Sequence, residues 1–257
     1  MGRYPKRKKK AAKTLRRYCR HIGYRIQHYG ELILRCPGRI CEYILGLLCY
    51  RRSPWYGMTS YDDFAREHGR YGEFQLWRKA NRYMPKNTVW FANLYLPKKD
   101  ETTCEIDLLA VSTRGIFVFE SKNYIGRIFG DEKNPYWYQL FRHDPRKNFQ
   151  KFSFFNPIMQ NAMHCRWLKN TLNMPDLPIY SFVVFGNRCR LQRIKCSTEN
   201  TVLCNQRSMR KYIRKYCPKT LTADRVQTIA EKLKPYTDIN YFQKIQHIRA
   251  IESKKQR

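Results

Sequence analysis

The sequence predicts an α/β fold, and three observations lead there. Runs rich in β-branched and aromatic residues recur between positions 88 and 187. Stretches with apolar residues three and four apart lie before and between them. The order is strands, then a helix, then a further strand, which is the arrangement of an α/β domain.

The elements can be justified in chain order. Residues 1–60 form a basic N-terminal extension, with "KRKKKAAKTLRR" near its start and one apolar, helix-sized patch, "ICEYILGLLCY", at 40–50. Ser53-Pro54 and Gly57 then punctuate the chain as a linker. Residues 61–190 form the main domain. From about Gly72 the spacing predicts a helix with Glu73, Leu76, Trp77 and Ala80 on one face. "TVWFANLYLP" reads as a strand stopped by Pro97. "CEIDLLAVS" and "GIFVFESKN" are two more strands with a tight link at 112–115. "NPIMQNAMHCRWLKNTL" reads as a helix with Pro157 in its first turn, where no intrahelical N–H is needed. "IYSFVVFGN" is another buried strand. Residues 191–257, mixed and then mostly helical, extend the core as a C-terminal segment.

Composition narrows the function. The chain has 257 residues, 42% hydrophobic, enough for one core with appendages. Its 51 Lys+Arg against 20 Asp+Glu leave a net charge of +31. Such a chain is drawn to polyanions, either nucleic acid or an anionic membrane face; the bland alternative is a basic, soluble surface without a partner. No pair of the ten cysteines has the close Cys-x-x-Cys spacing of a zinc ribbon. Without a secretory leader they are expected as reduced packing thiols of a cytoplasmic protein. A Cys189/Cys196/Cys204 metal cluster is the alternative. The patch at 40–50 falls short of the roughly 20 apolar residues that cross a bilayer. It suits an interfacial helix that would hold the protein peripherally at the inner membrane face.

The hairpin link brings the ionisable groups together. A two-residue turn at Thr113-Arg114 and a four-residue loop at 112–115 give the same register. Extended, that register sets Asp107 opposite Glu120 and Glu105 opposite Lys122, with Cβ atoms about 4.5–5.5 Å apart. Residues two apart share a face, so all four are expected to point the same way. Opposed carboxylates repel unless a proton or a cation lies between them. A divalent cation with oxygen ligands fits, Mg²⁺ being usual where phosphate is bound. Lys122 could then stabilise charge on a phosphate or align a water. An internal salt-bridge cluster, with Glu105 neutralising Lys122, is the alternative.

At these residues the chain resembles a known family. "RYGE" at 70–73, "EIDLLAVSTRGIFVFESKN" at 105–123, "GRIFG" at 126–130, Trp137 and "NPIMQN" at 156–161 are similar, in order and spacing, to the nuclease-related (NERD) domain. That family belongs to the PD-(D/E)xK nuclease-like superfamily. The resemblance spans roughly residues 66–190. It implies a restriction-endonuclease-like core, a central mixed β-sheet flanked by helices. It also implies metal-dependent hydrolysis of phosphodiesters, with Mg²⁺ as cofactor and Mn²⁺ as a substitute. Carried over by motif, Asp107 and Glu120 are the metal ligands, and Lys122 completes the Glu-x-Lys pair. Glu73 and Gln160 join them as catalytic residues. Ile106 stands where the superfamily often has proline. Otherwise Glu73 suits a helix first turn, and Gln160 a surface amide.

The remaining signals concern binding. Lys6, Arg7, Lys8, Lys9 and Lys10 form a cationic arm suited to neutralising phosphates. Arg210, Lys211, Arg214 and Lys215 interleave with Tyr212 and Tyr216, a mix that suits sequence-independent nucleic-acid contact. Trp137 with Tyr136 and Tyr138 suits either base stacking or core packing. His164, four residues after Gln160, shares its helix face and is expected as a packed or surface histidine. The expected function is a metal-dependent nuclease without strong sequence specificity, acting on DNA ahead of RNA. The alternative is a non-catalytic nucleic-acid-binding module on the same fold, membrane-associated or not, because fold does not guarantee activity.

Overall fold

The computed structural model describes residues 37–98, 102–142, 146–192, 194, 196–215 and 220–237. The cationic arm of Lys6, Arg7, Lys8, Lys9 and Lys10 lies outside them, as do Cys19, Cys36, Cys217 and Tyr216. Residues 1–52 and 53–257 form two compact units. In the first, α1 (Pro37–Tyr50) spans the apolar patch and exposes Tyr43, Ile44, Leu45 and Leu48. No helix among the described residues is long and apolar enough to cross a membrane.

The second unit begins with two helices. In α2 (Tyr61–Arg66) the Ser60 hydroxyl accepts a hydrogen bond from the Asp63 N–H. This satisfies one of the donors a helix start leaves open. Next, α3 (His68–Asn81) begins four residues before the position its spacing suggests. Gly69 and Gly72 weaken the local helix signal. Packing overrides them, because Phe74 and Trp77 close on Trp55 and Phe64 in a buried aromatic cluster.

The strands and remaining helices follow. They are β1 (Val89–Pro97), β2 (Thr103–Ser112), β3 (Gly115–Lys122), β4 (Gly126–Phe129), β5 (Tyr136–Phe141) and β6 (Gln150–Phe155). After these come α4 (Pro157–Leu172), β7 (Ile179–Phe185), β8 (Cys189–Leu191), β9 (Thr201–Asn205), α5 (Met209–Lys215) and α6 (Ala223–Leu233). The central sheet runs β1-β2-β3-β7-β9. Its first three strands are antiparallel, while β3, β7 and β9 run parallel. This mixed sheet flanked by helices is the α/β architecture expected of a restriction-endonuclease-like core.

The hairpin has the expected register, with Ser112 opposite Gly115 and Leu108 opposite Phe119. Gly115 has φ +115°, and a Cβ there would meet the Pro178 carbonyl oxygen at 2.7 Å, so the turn requires glycine. On one face of the sheet, Ile116, Val118, Leu109 and Val111 bury against Leu168 and Leu172 of α4 and Val226, Ile229 and Leu233 of α6. On the other, Phe117, Phe119 and Phe182 pack together, and Trp90 stacks on Phe119. The Trp90 indole N–H donates to Asn81 at 2.9 Å, which ties α3 to this face.

A second sheet, β6-β5-β4-β8, has no counterpart in the sequence reading. Its strands are only three to six residues long and carry little alternation. The parallel pairing of β4 with β8 joins segments some 60 residues apart. Trp137 is fully buried in its inner layer, donates its indole N–H to the Asp131 carbonyl at 2.8 Å and stacks on Phe185. Trp137 is therefore a core residue, and base stacking by it is ruled out.

Asn156 joins this sheet to α4. Its carboxamide oxygen caps the Ile158 and Met159 N–H groups, while its NH₂ reaches the Asp131, Glu132 and Asn134 carbonyls. An alanine here removes the cap and strands buried carbonyls. Asn156→Ala should cost about 1–3 kcal/mol of stability. In urea unfolding the midpoint should fall with little change in slope.

Candidate active site

The site forms where β2 and β3 part. Ladder pairing between them stops at Leu108–Phe119, one pair before Asp107 and Glu120 would face each other. Instead the Asp107 Oδ2 accepts the Ser121 N–H at 3.1 Å. The carboxylate occupies the place of a strand partner. On its other side β1 yields too: Ala92 pairs with Leu108 and Leu94 with Ile106, but Asn93 and Asp107 drop out of the ladder. Asn93 has φ +52°, a conformation asparagine tolerates better than most residues.

This break inverts the alternation of both strands. Core-facing positions are odd before it in β1 and after it in β2 (Phe91, Leu109, Val111) and even beyond it (Leu94, Leu96, Cys104, Ile106). The expectation that four groups share one face is therefore corrected. Glu120 and Lys122 continue the face of Ile116 and Val118, towards α4. Glu105 turns to the opposite face, where its Oε1 accepts from the Tyr95 hydroxyl at 2.8 Å. The expected Glu105–Lys122 pairing is replaced by Lys122–Glu120, with Nζ 2.6 Å from Oε1. The cause is a bulge-like break, which a strict period of two cannot reveal.

Other elements close the site. From α4, Gln160 offers its Oε1 to the Lys122 ammonium at 3.0 Å. One turn later His164, 6% exposed, places Nδ1 3.5 Å from the Glu120 Oε2. Asn161, between them, donates to the Val118 carbonyl and the Ser181 hydroxyl, pinning α4 to β3 and β7. From α3, Gly72 comes so close to Asn123 that a Cβ would lie 3.2 Å away, which sets Glu73 against the strand ends. Glu73, Asp107, Glu120, Lys122 and Gln160 thus converge. His164 is the packed histidine its i+4 spacing from Gln160 suggested, and its place against Glu120 comes only from the packing of α4. Nothing in the sequence singled out Asn161.

The electrostatics are those of carboxylates held in a poor solvent. Burial raises the Glu73 carboxyl to about 9, with Asp107 and then Glu105 adding to the shift. Burial, followed by the charge of Glu120, raises Asp107 to about 7. Glu120, 1% exposed, is also raised by burial, against the pull of Lys122. Burial would lower Lys122, but Glu120 outweighs it and holds the ammonium above its usual value. Burial lowers His164 to about 4, so it stays neutral near pH 7. Glu73 and Asp107 keep partial exposure, which leaves water and ions a way in.

The donor set fits a hard divalent cation. The Glu120 Oε2 is buried without a hydrogen bond, a costly state that a cation would relieve. Among the described residues no group of three or more His, Cys, Asp or Glu could hold a metal by itself. This includes the Cys189/Cys196/Cys204 alternative. Cys189 and Cys204 are buried, and their thiols are pushed up by burial to about 11 and about 12. Arg210, Lys211, Arg214 and Lys215 are carried by a separate element, α5.

A family model described as "Nuclease-related domain" matches residues 68–186. An uncharacterized protein of Bacillus anthracis is 31% identical over 162 residues, covering 63% of this chain and 73% of the relative. No solved structure matches the chain.

Asp107 sets a pH signature. Its folded pKa of about 7 exceeds the 3.8 of a free aspartate side chain. The protonated form therefore favours the fold, and this contribution is complete below about pH 4 and lost as pH rises through about 7. Asparagine keeps an acceptor for Ser121 and carries no charge. Asp107→Asn in EDTA should raise the thermal midpoint at pH 8 and leave it nearly unchanged at pH 4. An equal shift at both pH values would count against a charge origin.

Proposed function

The chain belongs to the nuclease-related domain family, and on that premise we propose that it is a metal-dependent nuclease hydrolysing phosphodiesters of nucleic acid, DNA ahead of RNA. The observation that carries this reading is the buried Glu120 carboxylate, whose Oε2 accepts no hydrogen bond while its Oε1 holds the Lys122 ammonium at 2.6 Å. Asp107 and Glu120 would hold Mg²⁺ or Mn²⁺, which when bound supplies a Lewis acid and lowers the pKa of a water. Lys122, held between Glu120 and Gln160, places its charge where a phosphate oxygen becomes more negative. Gln160 restricts the ammonium to that direction. Glu73, with a pKa of about 9, carries a proton at neutral pH and presents a donor to a phosphate oxygen or a water. His164, neutral at that pH, fills the space behind Glu120 without adding charge.

The surroundings suit a polyanionic substrate. Lys122, Phe185 and Asn205 are in register across β3, β7 and β9, so three strands end along one edge. Beyond β9, Arg207, Ser208, Arg210, Lys211 and Arg214 line an open pocket of about 510 Å³. Strand spacing of about 4.8 Å sets Asn205 roughly 10 Å from Lys122, within the span of a few nucleotides. A backbone crossing this edge would meet carboxylates and lysine first, then guanidinium groups. Such contacts carry no sequence information, in keeping with weak specificity.

Two measurements test the reading. Labelled DNA and RNA, single- and double-stranded, are incubated with the protein in Mg²⁺, Mn²⁺ or EDTA. Cleavage should need the divalent ion and fall at least about 100-fold in Asp107→Ala and Lys122→Ala. Substrates bound but left intact with either metal would instead favour a non-catalytic binding module. Separately, Mg²⁺ should raise the thermal midpoint, and more at pH 8 than at pH 5, because the ion competes with the proton on Asp107. The shift should vanish in Asp107→Asn/Glu120→Gln.

A further inference from the structure

The small sheet has a buried and an open layer, and the open one carries its own chemistry. Directly opposed residues share a face. By the observed register one face holds Arg127, Leu140, Lys151 and Arg190, then Phe129, Tyr138 and Ser153, then Tyr136 and Phe155. The other face holds Ile128, Trp137 and Cys189 and is core. On the open face Tyr136 is 68% and Phe155 39% exposed, and Arg127, Lys151 and Arg190 are exposed. The four strands contain no aspartate or glutamate.

The aromatic rings are already arranged for stacking. Phe129 and Tyr138 lie parallel with centroids 4.9 Å apart, and the Lys151 ammonium sits 4.3 Å over the Tyr138 ring. Tyr136 meets Phe155 edge to face at 6.4 Å. Tyr138 is thus covered by Phe129 and the Lys151 ammonium, which leaves Tyr136 and Phe155 as the rings open to a base. Three residues, Asn123 to Ile125, join this sheet to Lys122.

We propose that the open face of the β6-β5-β4-β8 sheet binds single-stranded nucleic acid, with bases stacked on Tyr136 and Phe155 and phosphates on Arg127, Lys151 and Arg190. The chemistry selects this partner. Aromatic faces offered beside cations, with no acid among them, match unpaired bases on a polyanionic backbone. A duplex hides its base faces inside the stack and could use only the cations. The proposal deepens the nuclease reading by specifying an unpaired substrate, and binding tests it independently of cleavage.

The experiment measures fluorescence anisotropy of labelled oligothymidine, and of a duplex of equal length, with full-length protein in EDTA. Tyr136→Ala/Phe155→Ala should weaken single-strand binding at least about tenfold and duplex binding less than about twofold. Arg127→Gln/Lys151→Gln/Arg190→Gln should flatten the salt dependence of single-strand binding. Circular dichroism checks that each variant is folded. Unchanged single-strand affinity in the folded aromatic variant overturns the proposal, as does an equal loss for duplex. Loss of binding to phosphatidylserine vesicles alone would overturn it in favour of a membrane surface. If the native protein cleaves nothing in Mg²⁺ or Mn²⁺ but binds the single strand through Tyr136 and Phe155, the catalytic reading fails and the platform stands.

Discussion

Like charges have to be held together where water is scarce, and much of this structure is arranged around that requirement. Glu73, Asp107 and Glu120 all have carboxyls raised by burial, and one ammonium, Lys122, stands among them. Left to themselves such groups would separate or drag in solvent. They are kept in place because each rides on an element that the apolar core fixes independently. The aliphatic layer of β1, β2, β3 and β7 against α4 and α6 anchors the strands. The aromatic cluster around Trp55 and Phe74 anchors α3.

The break at Asn93 and Asp107 is the local device that makes this possible. A regular β1–β2–β3 sheet would bury Asp107 in a ladder with its carboxylate pointing to one face. With Asn93 in the left-handed region and Asp107 out of both ladders, the carboxylate lies in the fork itself. It binds the backbone of Ser121 and comes near groups from both faces. Glu73 and Glu105 belong to one side, Glu120 and Lys122 to the other. Buried amides supply the remaining precision: Asn161 fixes the angle of α4 on the sheet, and Asn156 fixes where that helix begins.

Much of this was legible in the residues, for reasons that can be named. β1, β2, β3 and β7 are dense in β-branched and aromatic residues, so their existence and the hairpin register followed from local pattern. Pro157 marked the start of α4. What failed did so where long-range contacts overrule local preference. Gly69 and Gly72 hid the first turn of α3. The second sheet depends on β4 meeting β8 across the whole of α4 and β7, a pairing no local window contains. The parity change in β2 hid the turning of Glu105 to Tyr95, because alternation assumes an unbroken strand.

The sequence by itself determined the fold class, the strands that carry Asp107, Glu120 and Lys122, and the excess of positive charge. These depend on composition, periodicity and the spacing of a tight turn, all properties of neighbouring residues. Only the tertiary structure decided which partner each ionisable group takes. It paired Lys122 with Glu120, brought Gln160 and His164 up behind them, and buried Trp137 while leaving Tyr136 and Phe155 open. Those outcomes depend on how helices and strands distant in sequence pack, and on the desolvation that packing imposes.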